Sequence, residues 1–95
     1  MKTPFELFHI ECGKGWYPLL IPVFNQLKLE GEVPTQVKEK YGTLRIYVSG
    51  GSALLYVMID EAEKLSSAIC EICGAPGELV GYHWIKTRCE SCLDQ

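Results

Sequence analysis

The spacing of apolar residues predicts a first helix over residues 16–30. Apolar side chains recur there at intervals of three and four positions, and Gly31 is a suitable end. Pro18 suits the first turn of a helix. Pro22 requires either a later start near Leu20 or a kink, because a proline inside a helix costs about 3 kcal/mol.

Strands and a second helix follow. Residues 34–40 predict a polar edge strand, Tyr41-Gly42 a turn, and residues 43–49 a strand with one apolar face, so the two strands form an antiparallel hairpin. Ser52 is a good N-cap for a helix that carries one apolar stripe as far as Ile69. Residues 1–15 predict only a short strand or extended arm.

Four cysteines dominate the C-terminal part of the chain. Cys70 and Cys73 are separated by two residues, as are Cys89 and Cys92, and fifteen residues lie between the pairs. Four thiolates at this spacing predict one tetrahedral zinc site, with segments 78–82 and 83–88 forming a hairpin between the pairs. Because four protein ligands leave no position for water or substrate, the zinc is expected to be structural rather than catalytic. Unrelated buried cysteines and a redox pair are the alternatives.

Residues 70–95 resemble a zinc ribbon of the treble-clef or rubredoxin-knuckle kind. The resemblance is carried by the two Cys-x-x-Cys pairs and by the glycine that follows the first pair. Zinc ribbons occur in proteins of many functions, so the resemblance implies a fold element and no activity. The expected architecture is α+β: two helices on a short antiparallel β-hairpin (residues 1–69), with the zinc ribbon (residues 70–95) packed on it as one cooperative unit.

The net charge and the apolar content of the chain argue against some classes of function and location. The 95 residues carry a net charge of −3, and neither residues 1–69 nor residues 70–95 are basic overall, which argues against binding nucleic acid through overall charge. The N-terminus lacks the apolar core of a signal peptide, and no apolar run is long enough to span a membrane. We therefore expect a cytoplasmic protein, where thiols stay reduced and an odd number of cysteines suits a metal site plus one free thiol.

A wider resemblance covers most of the chain. Residues 15–19, 37–45 and 70–74 together are similar to small proteins carried by phages and prophages, whose function is unassigned. The resemblance implies a bacterial or viral setting and no mechanism.

Two surfaces are candidates for binding. Lys38 and Lys40 share one side of the first strand, and Arg45 and Tyr47 share one side of the second, which would form a basic, aromatic sheet face. The alternative is a solvated face whose lysines prevent edge pairing. Tyr82 and Trp84, in the ribbon hairpin, either pack against the second helix or stand exposed as binding anchors.

His9 and Cys12 form a weaker motif near the N-terminus. Their spacing is compatible with a second metal site or with a nucleophilic thiol beside a base, but no third group is evident, and an ordinary histidine with a free thiol is the plain alternative. The segment Gly13-Lys14-Gly15 lacks the phosphate-loop pattern and predicts a flexible turn.

Three functional hypotheses follow. The first is a non-catalytic interaction module that modulates a host or phage protein, including a defence system. The second is a nucleic-acid-binding accessory protein that uses the face of Lys38, Lys40 and Arg45. The third is an enzyme that depends on Cys12. The identity of the partner and the oligomeric state stay open.

Overall fold

The computed structural model describes residues 8–94, whose helices and strands follow one another in the predicted order. Within these residues, the elements in chain order are β1 (Ile10–Glu11), α1 (Tyr17–Glu30), β2 (Pro34–Lys40), β3 (Thr43–Val48), α2 (Ala53–Ser66), β4 (Glu78–Val80) and β5 (Lys86–Arg88). Short 3-10 helices occupy Lys14–Trp16 and Glu90–Cys92. The α+β prediction is confirmed.

The β2–β3 hairpin forms as its alternating pattern predicts. Tyr41 and Gly42 connect the strands with φ angles of 53° and 83°, the left-handed values of a type I′ turn. The register places Val37 opposite Ile46, and Leu44 joins them on the buried face. One face of the hairpin therefore contributes to the core and the other faces away from it.

A third strand, β1, extends the sheet. It pairs in parallel with β2, with Ile10 opposite Val37. The predicted N-terminal strand or arm is therefore seen at residues 10–11, and the part of it over residues 1–7 lies outside the described residues.

Pro22 does not delay the start of the first helix to Leu20, which was one of the two predicted alternatives. α1 begins at Tyr17 and continues through Pro22, whose ring lies on the exposed side. Gly31 ends it in the left-handed conformation, with a φ angle of 69°. The apolar side of α1 packs against α2 in the shared core, so tertiary burial offsets the hydrogen bond that Pro22 cannot make.

The second helix begins as predicted and ends earlier. The Ser52 hydroxyl accepts a hydrogen bond from the Leu55 N–H at 3.1 Å, which caps the first turn. α2 ends at Ser66 rather than at Ile69, and the intervening residues lead towards the first cysteine. The two helices and the sheet enclose a core of Trp16, Leu20, Val23, Phe24, Leu27, Val37, Leu44, Ile46, Leu55, Ile59 and Ala62.

Side chains of α2 cover the outer edge of β3. The Ser66 hydroxyl accepts from the Leu44 N–H and a Glu63 carboxylate oxygen accepts from the Ile46 N–H, both at 2.9 Å. Outward-facing amides of an edge strand can otherwise pair with another chain. These two amides are instead satisfied within the protein. No helix within residues 8–94 has both the length and the apolar character needed to cross a membrane.

Candidate metal centre

The four predicted ligands meet in one place. The sulfur atoms of Cys70, Cys73, Cys89 and Cys92 all lie within 4.8 Å of one another, and the Sγ atoms of Cys73 and Cys89 are 3.5 Å apart. A tetrahedron with metal–sulfur bonds of 2.3 Å has edges of about 3.8 Å. The cluster therefore has the size of a four-thiolate site and could hold one metal ion.

The first Cys-x-x-Cys loop is fixed by its backbone. The Cys70 N–H donates to the Ala75 carbonyl at 2.7 Å, and the Gly74 N–H donates back to the Cys70 carbonyl at 2.9 Å. Gly74 has a φ angle of 83°, which a glycine adopts without steric cost. These bonds turn the chain back after α2 and direct both sulfurs to one side.

The hairpin returns the second pair to the first. β4 and β5 are antiparallel, with Glu78 opposite Arg88 and Val80 opposite Lys86, and the strands are shorter than the predicted segments 78–82 and 83–88. The Cys92 N–H donates to the Cys89 carbonyl at 3.1 Å within the following 3-10 helix. Both Cys-x-x-Cys loops are thus tight turns.

Hydrogen bonds give the thiols of the cluster different acidities. Burial raises the pKa of Cys70, but backbone hydrogen bonds from Cys73, Cys89 and Ile72 outweigh it and lower the pKa to about 6. The pKa of Cys92 is raised to about 12, mainly by a hydrogen bond with Cys89 and secondly by burial. A metal ion must displace the protons of the thiols that it binds, so metal affinity must increase with pH.

Glu71, inside the first Cys-x-x-Cys loop, joins three parts of the chain. Its carboxylate accepts from the Gly13 N–H at 2.9 Å and from Nη1 of Arg88 at 3.2 Å. Its own N–H donates to the Thr87 carbonyl at 3.2 Å. Sequence reasoning missed this residue, because an acidic residue between two cysteines gives no signal of burial. The buried Arg88 on the hairpin is its charge partner.

The N-terminal glycines pack directly on this loop and are not a flexible turn. The Gly15 N–H donates to the Glu71 carbonyl at 2.8 Å, and a Cβ atom on Gly15 would lie 2.2 Å from the Cys70 carbonyl oxygen. The Trp16 indole Nε1–H donates to the Ile69 carbonyl at 2.7 Å. Only a residue without a side chain permits this approach.

The structure brings the predicted basic residues onto the outer face of the sheet. Lys38 lies opposite Arg45, and its Nζ is 5.6 Å from the centre of the Tyr47 ring. Lys40 Nζ is 5.6 Å from the ring of Tyr41. Among residues 8–94, no ion pair includes Lys38, Lys40 or Arg45.

Tyr82 and Trp84 are exposed at the end of the ribbon hairpin. Tyr82 is 96% exposed and Trp84 75% exposed, so neither packs against α2. Nζ of Lys86 lies 5.2 Å from the centre of the Trp84 ring. The same lysine pairs with Glu39 at 2.8 Å, which ties the hairpin to β2.

The surroundings of Cys12 and His9 do not favour a reactive pair. Burial, and secondly the charge of Glu71, raises the pKa of Cys12 to about 12, so the thiol stays protonated near neutral pH. His9 is instead 3.1 Å from Glu11. Within the described part of the chain, the four-cysteine cluster is the one group of three or more ligand-type side chains close enough to share an ion.

Comparison with known proteins produced no matching family model, no matching curated protein and no matching solved structure.

Proposed function

We propose that this protein is a non-catalytic interaction module, folded around one zinc ion, that presents its ribbon hairpin to a protein partner. The observation that carries the proposal is the exposure of Tyr82 and Trp84, at 96% and 75%, on a hairpin anchored at both ends by the cysteine cluster. Exposed tyrosine and tryptophan on a rigid support are the residue types that dominate binding energy at protein interfaces.

The chemistry of the ligands supports zinc and a structural role. Four thiolates in a tetrahedral arrangement suit zinc or iron, and zinc is the usual occupant of two Cys-x-x-Cys loops joined by a hairpin. Four protein ligands complete the coordination sphere, so the ion supplies folding energy rather than a reactive position. A Cys12 enzyme has less support, because the raised pKa of that thiol opposes its use as a nucleophile.

The proposal extends to the cellular setting through the sequence resemblance alone. The resemblance of residues 15–19, 37–45 and 70–74 to small phage and prophage proteins supports a bacterial cytoplasmic setting as part of this proposal, with a host or phage protein as the partner. A component of a defence system is one such partner.

Metal analysis is the first test. Purified protein should contain one zinc per chain, whereas iron would produce a coloured protein. Zinc binding contributes about 10–16 kcal/mol in small modules, so strong chelation, or replacement of Cys73 by serine, should unfold the ribbon. Unchanged melting after either treatment would contradict the structural role.

Affinity capture is the second test. Zinc-loaded protein, used as bait in bacterial lysate, should retain a specific protein that a Tyr82→Ser, Trp84→Ser double variant does not retain. A Tyr56→Ser variant is the matched control, because Tyr56 is an exposed aromatic residue on α2, 49% accessible. Retention of the same proteins by all three baits would reject the hairpin as the binding surface.

The register of the sheet favours nucleic-acid binding as a second candidate. It places Lys38 and Arg45 side by side with Tyr47 on the outer face of the sheet, and bases can stack on such aromatic rings while cations contact phosphates. Fluorescence anisotropy with a single-stranded oligonucleotide tests this. Binding should fall with salt and with Lys38→Ala, but not with Lys28→Ala, an exposed lysine on α1. Undetectable binding at low salt would remove this candidate.

A further inference from the structure

A groove runs along the outer face of the ribbon hairpin. Two adjoining cavities of about 590 and 550 Å³ share Val80, Arg88 and Leu93 in their walls. Trp84 lines the second cavity and Glu90 the first. Both cavities lie beside the metal centre, because Cys89 also lines the first.

One face of the hairpin packs on the β2–β3 turn and the other lines the groove. Side chains alternate along a strand, so Val80 and Arg88 share one face while Leu79 and Thr87 share the other. Thr87 donates through its hydroxyl to the Gly42 carbonyl at 2.6 Å, which fixes the second face against the β2–β3 turn. On the groove face Glu78 is exposed, whereas Lys86 and Arg88 reach from it to Glu39 and Glu71.

The walls of the groove combine apolar surface with exposed acidic side chains. Val80, Trp84 and Leu93 provide the apolar part, and Leu93 is 51% exposed. The two cations in the walls are already paired, Lys86 with Glu39 at 2.8 Å and Arg88 with Glu71 at 3.2 Å.

The acidic residues of the rim form no such pair within the described part of the chain. Glu78 and Glu90 line the groove, both are exposed, and no ion pair among residues 8–94 includes them. A zinc ion held by four thiolates adds a net charge of about −2 behind the wall that contains Cys89.

We propose that this groove binds a basic segment of a partner protein, with an apolar side chain of that segment packed between Trp84 and Leu93 and its lysine or arginine residues beside Glu78 and Glu90. Charge complementarity selects this occupant over an acidic peptide or a nucleic acid, whose phosphates the rim repels. The inference rests on the proposed interaction function and adds the chemistry of the partner.

Panning of a random displayed peptide library on the zinc-loaded protein tests the occupant. The recovered peptides should be enriched in lysine and arginine around one apolar residue, and their affinity should fall with salt. Trp84→Ala should weaken a selected peptide by about 30-fold or more, as expected for a central aromatic anchor. A Glu78→Gln, Glu90→Gln variant should weaken it by about 5-fold, since exposed charge pairs are individually weak. Tyr56→Ala, on α2, is the matched control and should leave the affinity unchanged.

Three results would overturn the proposal. These are recovery of no peptide that depends on Trp84, enrichment of neutral or acidic peptides, and equal binding of the selected peptide by the Trp84→Ala and Tyr56→Ala variants. The capture experiment distinguishes this failure from that of the proposed function. A protein partner that is still retained through the hairpin would leave the interaction module standing and reject only the basic segment.

Discussion

Replacing Glu71 by alanine would remove a carboxylate that connects the metal loop to the hairpin and to the N-terminal segment. The side chains of Glu71 and Arg88 are only 9% and 7% exposed, so the substitution removes a carboxylate that pairs with a buried guanidinium group. It also removes the acceptor of the Gly13 N–H. The consequence should be a large loss of stability with all four metal ligands still present.

The magnitude follows from the burial of the pair. Removing one partner of a buried ion pair costs about 3–5 kcal/mol, because the remaining charge loses its compensation. The hydrogen bond from Arg88 to the Thr87 carbonyl, at 3.0 Å, stays in place, so the lower part of this range is expected. A domain of this size has a total stability of about 5–15 kcal/mol. The variant should therefore lose a substantial fraction of its free energy of unfolding.

Glu90 provides a matched control. It occupies the same position in the second Cys-x-x-Cys pair as Glu71 does in the first, but it is exposed. Glu90→Ala should change the stability by less than about 0.5 kcal/mol. A Glu71→Leu, Arg88→Met double variant should recover much of the loss, since apolar replacements of a buried pair are often neutral.

Equilibrium urea unfolding of the zinc-saturated proteins, followed by circular dichroism, measures these differences. Metal analysis of each sample confirms that zinc content is equal. If Glu71→Ala and Glu90→Ala differ in their free energies of unfolding by less than about 0.5 kcal/mol, the buried pair does not stabilise the protein and the reasoning fails.

Three further predictions concern packing and charge. Gly15→Ala should lower the melting temperature strongly, because the added Cβ would lie 2.2 Å from a backbone oxygen, whereas Gly50→Ala meets only a flexible side chain at 3.5 Å and should change little. Ser66→Ala should cost about 1–3 kcal/mol in urea unfolding by leaving a strand amide unpaired, and the more exposed Ser67→Ala should cost less. For Glu39, burial alone would raise the pKa, but hydrogen bonds from Lys86 and the Gly42 N–H and the charges of Lys86 and Arg88 lower it. The ionised Glu39 therefore contributes to the free energy of unfolding above a pH of about 4.3, and this contribution is lost as the pH falls through the lowered pKa. The difference in free energy of unfolding between wild type and Glu39→Gln should therefore narrow in acid. A difference that stays constant from neutral to acidic pH would refute the ion pair.

Local signals account for the features that could be predicted from the sequence. The stripe of α2 and its Ser52 cap depend on neighbours within one or two helical turns, as does each Cys-x-x-Cys loop. The parallel pairing of β1 could not be predicted, because two residues carry no periodicity and their partner strand lies more than twenty positions away. The buried Glu71 was missed for the same reason, since its partners come from other parts of the chain.

Glu39 lies between these cases. Its position on the core side of the hairpin follows from the alternation of β2, which puts Lys38 and Lys40 on the other side. Its role does not, because the lysine it pairs with is 47 residues away on the ribbon hairpin. The features that could not be predicted from the sequence are thus mainly the distant partners of polar side chains.

The packing of residues 13–16 on the first cysteine loop bears on whether the ribbon could be transplanted. The bond from the Trp16 indole to Ile69 spans 53 positions, and that from Gly13 to Glu71 spans 58. A graft of residues 68–94 onto another scaffold would carry every metal ligand but expose the inner side of the loop that holds two of them. The unit that could be transplanted is therefore discontinuous in sequence. It consists of the ribbon together with residues 13–16, and a host scaffold would have to supply an equivalent of those four residues in the same position.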